Sequence, residues 1–186
     1  KTAMKPPVFT DQNLFNTLSG YASYTVPMVS PVIIQAVLLI AIMMTLGAWL
    51  DPACHYSIKK RFLTDSRTYI QLFFGYFIFA LAWLLYAEGL DFYAFDYTSM
   101  ANPGGTVILC VLYCAAIVSL GFVIALLMMS HQYGAQLVVV FSAPALFLSG
   151  CAFPAENFGL LASVVRLFIP STPGIMGLAS LSQNGA

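Results

Sequence analysis

Polar residues interrupt this chain only briefly. From Gln12 to Leu50 no charged side chain occurs, and three more apolar blocks follow, at about Tyr69–Ala87, Thr106–Met129 and Gly134–Leu148. A helix needs roughly 20 apolar residues to cross a bilayer, so 12–50 is too long for one span. Its first part sets Leu14, Phe15, Leu18 and Tyr21 at helical spacing with polar residues between them. That is the pattern of a helix lying in the interface. Ser30-Pro31 supplies an N-cap and a first-turn proline. The first span then runs from about Pro31 to Leu50, entered from Val26. The second is dense in aromatics, among them Phe73, Phe74, Tyr76, Phe77, Phe79, Trp83 and Tyr86, some of which suit the interfacial belts. Asn102-Pro103-Gly104-Gly105 reads as a breaker before the third span. The link Ser130-His131-Gln132-Tyr133 is so short that the fourth span must return as an antiparallel neighbour, with Pro144 as its kink.

After Leu148 the pattern changes. Ser149-Gly150 ends the fourth block, the chain turns through Phe153-Pro154, and a short apolar helix from about Asn157 to Ile169 meets Arg166 before Pro170 and Pro173. At 1.5 Å per residue that helix covers only about 20 Å, against a hydrocarbon core of about 30 Å. It can dip in and return, with Pro170-Ser171-Thr172-Pro173 as the turn and a second short helix at about Gly174–Leu181. The expected fold is therefore an all-α integral membrane protein. It has four transmembrane helices (26–150), an N-terminal interfacial helix (1–25) and an external re-entrant helix pair (151–186), all in one membrane domain.

Composition agrees. Hydrophobic residues make up 60% of the chain and charged ones 8%, against roughly 25% charged in soluble domains. The net charge is zero, which leaves no electrostatic footprint for nucleic acid. Charge also sets orientation. Lys59, Lys60, Arg61 and Arg67 follow the first span, whereas Glu88–Gly105 carries no Lys or Arg. Basic loops stay inside, so the Lys59 loop and the His131 link face the cytoplasm, and the N-terminal end and residues 150–186 face outward. A chain that begins at Lys1 on the outside, without a signal, reads as an internal piece of a longer protein.

Candidate chemistry is sparse. No Gly-x-x-x-x-Gly-Lys-Ser/Thr loop occurs, so the chain does not cradle ATP phosphates in that way. The four expected spans hold no charged residue, which argues against a proton relay within them. His55 and His131 lack further ligands at metal-binding spacing. Cys54, Cys110, Cys114 and Cys151 show no disulfide framework. Cys110 and Cys114 share a helical face with Gly121 and Ala125, a small-residue stripe suited to close helix packing in lipid. Lys59-Lys60-Arg61 serves either as a topology anchor or as a contact for a cytoplasmic partner or anionic lipid. Glu88, Asp91 and Asp96 either line a vestibule or sit in a solvated loop.

One stretch is more specific. Ser142-Ala143-Pro144-Ala145-Leu146-Phe147-Leu148-Ser149-Gly150, then Phe153-Pro154, then Phe168-Ile169-Pro170-Ser171-Thr172-Pro173 resembles the membrane subunits of ABC-2 type transporters. Gln183-Asn184-Gly185-Ala186 is similar to that family's segment before its last span. The resemblance implies the permease half of an exporter, not an enzyme, in a bacterial inner membrane, with the first and last spans missing here. It implies no cofactor on this chain, with ATP and Mg held by a partner ATP-binding cassette subunit or domain. It also implies a second permease copy, forming a homo- or heterodimer, and leaves room for an external adaptor protein. The implied coupling surface is Lys59, Lys60 and Arg61, and the implied outer gate is Phe147, Ser149, Gly150, Phe153, Pro154 and Pro170. The loop Asp51–Arg61 departs from the family by lacking its Glu-x-Glu-x-Gly-Thr-like docking stretch. Uncharged spans suit a hydrophobic or amphipathic cargo. A membrane scaffold or assembly factor, or a lipid-modifying membrane enzyme, is the alternative.

Overall fold

The computed structural model describes residues 21–53, 66–94, 103–149, 159, 164–166 and 169–183. These residues form helices joined by short turns, with no strand among them. Helix α1 is Tyr21–Ile42; it continues through a π-helical turn, Met43–Gly47, and one last α turn, Ala48–Leu50. Helix α2 is Ser66–Ala94, α3 is Pro103–Met128, α4 is His131–Leu148 and α5 is Ser171–Gln183. Among the described residues three stretches are long and apolar enough to cross a bilayer: Val29–Leu50, Ser66–Leu90 and Pro103–Met128.

Helix contacts fix the topology. Tyr113 of α3 meets Pro31 of α1, and Gly121 of α3 lies on Leu39 and Ile42, so α1 and α3 run parallel. Tyr69 and Phe73, near the start of α2, stack edge-on against Phe122, near the end of α3, at 4.8 and 5.6 Å. Helix α2 therefore runs the other way, and its Tyr76 reaches the Ala41 carbonyl of α1. Gly47 abuts His131, and Gly134 abuts Met43, so α4 is antiparallel to α1. The core lies where these helices meet, around Ile42, Met43, Leu46, Leu84, Ile117 and Val118, all fully buried. The small-residue stripe is in that core: Cys110, Cys114, Gly121 and Ala125 are buried on α3, with Gly121 against α1. The outer face of α2 (Phe74, Ile78, Phe79, Trp83, Tyr86) is exposed, as a lipid-facing surface would be.

Four boundaries differ from the sequence pattern. Ser30-Pro31 does not start the first span, because α1 is already helical from Tyr21 and passes through Pro27 and Pro31. Proline removes its own N–H from the helix ladder, a loss that is tolerated inside membrane helices; separately, the Pro31 carbonyl accepts the Tyr113 hydroxyl at 3.0 Å. Asn102-Pro103-Gly104-Gly105 is no breaker either; Pro103 takes the first position of α3, where its missing N–H costs nothing. Helix α2 continues past Ala87, so Glu88 sits on a helix, 5% exposed, rather than in a solvated loop. The link before α4 shortens to Met129-Ser130, made possible by the left-handed backbone of Met129 (φ 46°). Pro144 lies inside α4, as expected. The interfacial helix expected over 1–25 falls mostly outside the described residues.

The far end of the bundle has a distinct geometry. Helix α3 has 26 residues and α4 has 18, so α4 is about 12 Å shorter at 1.5 Å per residue. The two share one turn at their other ends, so α4 stops well short of the level of Pro103. Helix α5 begins at that depth: the Thr172 hydroxyl meets the Leu148 carbonyl at 3.5 Å. From there Gly174 packs on the Tyr113 ring and Gly177 on Leu109, so α5 climbs toward Pro103. Pro173, in the first turn of α5, needs no N–H partner. The chain thus leaves α4 and re-enters α5 at one depth. The segment expected at Asn157–Ile169 lies mostly outside the described residues.

Candidate functional site

At one end of the bundle, the last turn of α1 meets the first turn of α4. Asp51 closes an Asx turn: its Oδ1 accepts the Ala53 N–H at 2.9 Å. Its Oδ2 lies 3.2 Å from His131 Nδ1. The Ala53 N–H chiefly, and then His131 through its hydrogen bond and charge with Ser130 beside it, hold the Asp51 carboxyl below the ordinary carboxylate value, more than offsetting the effect of burial. Opposite charge and donated hydrogen bonds both favour the ionised form. Backbones meet just above the pair. A Cβ on Gly47 would stand 3.0 Å from His131 Cα and 3.2 Å from its N, so the close approach depends on glycine.

One turn away from that corner is the π-helical turn. The Ala41 carbonyl accepts Thr45 Oγ1 at 2.9 Å and Tyr76 Oη at 3.3 Å, and the Thr45 and Tyr76 hydroxyls touch each other. A π turn carries one residue too many for an α-helix and recurs at functional positions. Here side chains from α1 and α2 pin the carbonyl beside its start.

Midway along the bundle, α1, α3 and α4 leave a cavity of about 130 Å³. Apolar side chains line most of it, including Leu39, Leu120, Val138 and Phe141; Gln35 and Ser142 are its polar members. Gln35 is buried and lies 3.4 Å from the Tyr113 hydroxyl. That hydroxyl has one proton, and the shorter contact to the Pro31 carbonyl takes it. The far end of the Gln35 amide makes no hydrogen bond among the described residues, and the side chain faces the cavity. The volume is close to that of an apolar cavity of about 150 Å³ that takes a benzene-sized guest. It has room for an alkyl segment and for one polar group on Gln35. Among the described residues no cluster of His, Cys, Asp and Glu could hold a metal ion.

Known proteins supply a frame for this geometry. The family model described as ABC-2 family transporter protein matches residues 1–186. The chain belongs to the ABC-2 transporter family. No curated protein and no solved structure matches it. As a family member it is the integral membrane component of a transporter.

The candidate sites of this ABC-2 chain fall partly outside the described residues: Lys59, Lys60, Arg61, Gly150, Phe153 and Pro154 all do. The others gather at the end of α4. Phe147 is half exposed, and Ser149 is fully buried with its hydroxyl on the Leu146 carbonyl at 2.6 Å. Pro170 lies in the turn that admits α5, its carbonyl accepting the Gly174 N–H at 3.1 Å. Sequence reasoning did not find the Asp51–His131 pair or the Gln35–Tyr113 contact. A signal existed for the second, since Gln35 is the one amide in the expected first span, and such side chains hydrogen-bond across helices in lipid.

Proposed function

We propose that this chain is the permease half of an ATP-driven exporter for a hydrophobic or amphipathic substrate. The observation that carries this reading is the match of the ABC-2 family over the whole chain; the apolar cavity with its single amide supports the substrate class. Two copies, or this chain and a related one, enclose the path, and a partner ATP-binding cassette supplies ATP hydrolysis. The end carrying Asp51 and His131 faces the cytoplasm, since the Lys59-Lys60-Arg61 loop follows Asp51 directly and basic loops stay inside. That loop is the docking surface for the cassette. The α4–α5 junction is the outer gate, and the segment between Ser149 and Ile169 makes a re-entrant excursion there, because it leaves and returns at one depth. Helix α4, at about 27 Å by its rise, is the fourth span, completed toward the outside by α5.

The test is reconstitution of the full transporter with its cassette in proteoliposomes and uptake of a fluorescent single-chain amphiphile. ATP should drive uptake into inside-out vesicles, and replacing Lys59, Lys60 and Arg61 together with Gln should lower the amphiphile moved per ATP. A complex that moves no amphiphile, or moves it equally without ATP, overturns the reading. Single-cysteine labelling tests the orientation: a cysteine at Ser57 should be protected from an impermeant reagent outside the cell, and one at Ser99 labelled.

A further inference from the structure

We infer that the Asp51–His131 pair is the joint through which the cassette-docking loop moves α4, and with it the outer gate; this rests on the permease reading above. Position comes first. Asp51 is the last described residue but two before the 54–65 stretch that holds the basic cluster, and its side chain crosses to the first residue of α4. The residue that leads into the loop is therefore tied to the first residue of α4.

The tie is stiff on both sides. On the Asp51 side the carboxylate is fixed by the Ala53 N–H at 2.9 Å, and the Asp51 N–H closes the helix on the Gly47 carbonyl at 2.9 Å. On the α4 side, Gly47 lies against the His131 backbone and Gly134 against the Met43 sulfur. Met129, in its left-handed conformation, makes the turn between α3 and α4 a tight one. A displacement of Asp51 is therefore passed directly to His131.

Above the joint, α4 is a continuous helix to Leu148. Its last carbonyl accepts Thr172, and Ser149 is buried beside the start of α5. A push at His131 therefore reaches the α4–α5 junction through α4, whose last turns carry Pro144. Asp51 and His131 are thus positioning residues, acting through α4 and not on the substrate. Coupling through packed elements with two arrangements is how distant sites communicate.

The test uses the full chain copurified with its cassette, in detergent, and reads hydrogen–deuterium exchange in peptides covering 139–149. The two states compared are nucleotide-free and trapped with ATP, Mg and vanadate. In the unmodified complex, trapping should change exchange there at least threefold. In Asp51→Asn and in His131→Gln the change should fall to less than half of that, and the double variant should be no worse than either single one, since the two act as a unit. Asp51→Glu, which keeps the charge, should restore most of it. Cassette peptides should respond to trapping in every variant. If the single variants respond as the unmodified complex does, the joint is overturned and the permease reading stands. If Asp51→Asn no longer holds the cassette while Asp51→Glu does, the pair is an assembly contact and the joint is again overturned. If the unmodified complex shows no response to nucleotide anywhere in this chain, the permease reading itself fails.

Discussion

The α1–α4 corner at Asp51 and the α1–α3–α4 cavity at Gln35 are built from the same helices and behave oppositely. At the corner, backbone meets backbone with no room for a methyl group, and both oxygens of the Asp51 carboxylate have a partner. At the cavity, the same α1 and α4 separate enough to leave about 130 Å³, and the Gln35 amide keeps one end unused among the described residues. Close glycine contacts let helices approach in lipid, and they also fix where two helices cannot part. The helices are therefore pinned at one end and open in the middle. On the permease reading proposed above, that asymmetry leaves the middle free to open while the end beside the Lys59 loop stays connected.

The sharpest way to break the contrast is to put a side chain into each place. Gly47→Val adds a Cβ that stands 3.0 Å from the His131 backbone, and backbone cannot rotate aside as a side chain can. Overpacking costs about 1–3 kcal/mol, occasionally more, and this site belongs at the upper end. Thermal unfolding in detergent should show a larger loss for this variant than for Tyr113→Phe or Ala145→Leu. An unfolding midpoint indistinguishable from that of the unmodified protein would show that α1 and α4 separate freely at that corner, and the contrast would collapse.

Tyr113→Phe tests the boundary of the cavity. It removes the hydroxyl that serves the buried Pro31 carbonyl and touches Gln35. Interhelical hydrogen bonds in membranes average roughly 0.6 kcal/mol and reach about 1.7, so a loss of about 1 kcal/mol is expected. Combining it with Gln35→Leu should give less than the sum of the two single losses, because both act on one contact. Strict additivity in unfolding free energy would mean that the 3.4 Å contact contributes nothing.

Ala145→Leu is the counterpart of the glycine substitution. Ala145 lines the cavity, so the added carbons enter empty space, and stability should change by less than about 1.5 kcal/mol in either direction. Uptake of the amphiphile should fall severalfold while ATP hydrolysis continues. Destabilisation as large as that of Gly47→Val would show that the cavity closes in the resting protein.

Much of the bundle was legible in the sequence, for a physical reason. Lipid demands long uncharged helices, so the spans at Pro31–Leu50, Tyr69–Ala87 and Thr106–Met129 stand out; each falls on an observed helix, which starts 3–10 residues earlier, and only the third overruns its helix, by Met129. Boundaries were less legible because punctuation depends on context. Ser30-Pro31 looks like a start, but α1 is already helical from Tyr21 and runs through it, as membrane helices can with a proline. Pro103-Gly104-Gly105 looks like a break, but a proline at a first helical position is a beginning. The second short helix, expected from Gly174, is α5, which opens at Ser171 instead. The corner was not legible at all. Asp51 and His131 sit 80 residues apart, and no spacing rule joins an aspartate after one span to a histidine before another.

The smallest expected effect concerns the charge at that corner. The Asp51 carboxyl is held below its ordinary value of 3.8, chiefly by the Ala53 N–H and then by His131. A carboxyl with a depressed value in the folded state adds stability that is fully present above its unfolded value. That contribution is lost as pH falls through the folded value, so the window lies below about pH 4. Asp51→Asn keeps an oxygen for the Ala53 N–H and removes only the charge. Unfolding midpoints should therefore differ slightly between the two proteins at about pH 6, and the gap should narrow as pH is lowered from about 4 toward about 3. A gap that widens on acidification would mean that the ionised carboxylate destabilises the corner. The pair would then be a strained contact, and the corner would no longer be the fixed end of the comparison.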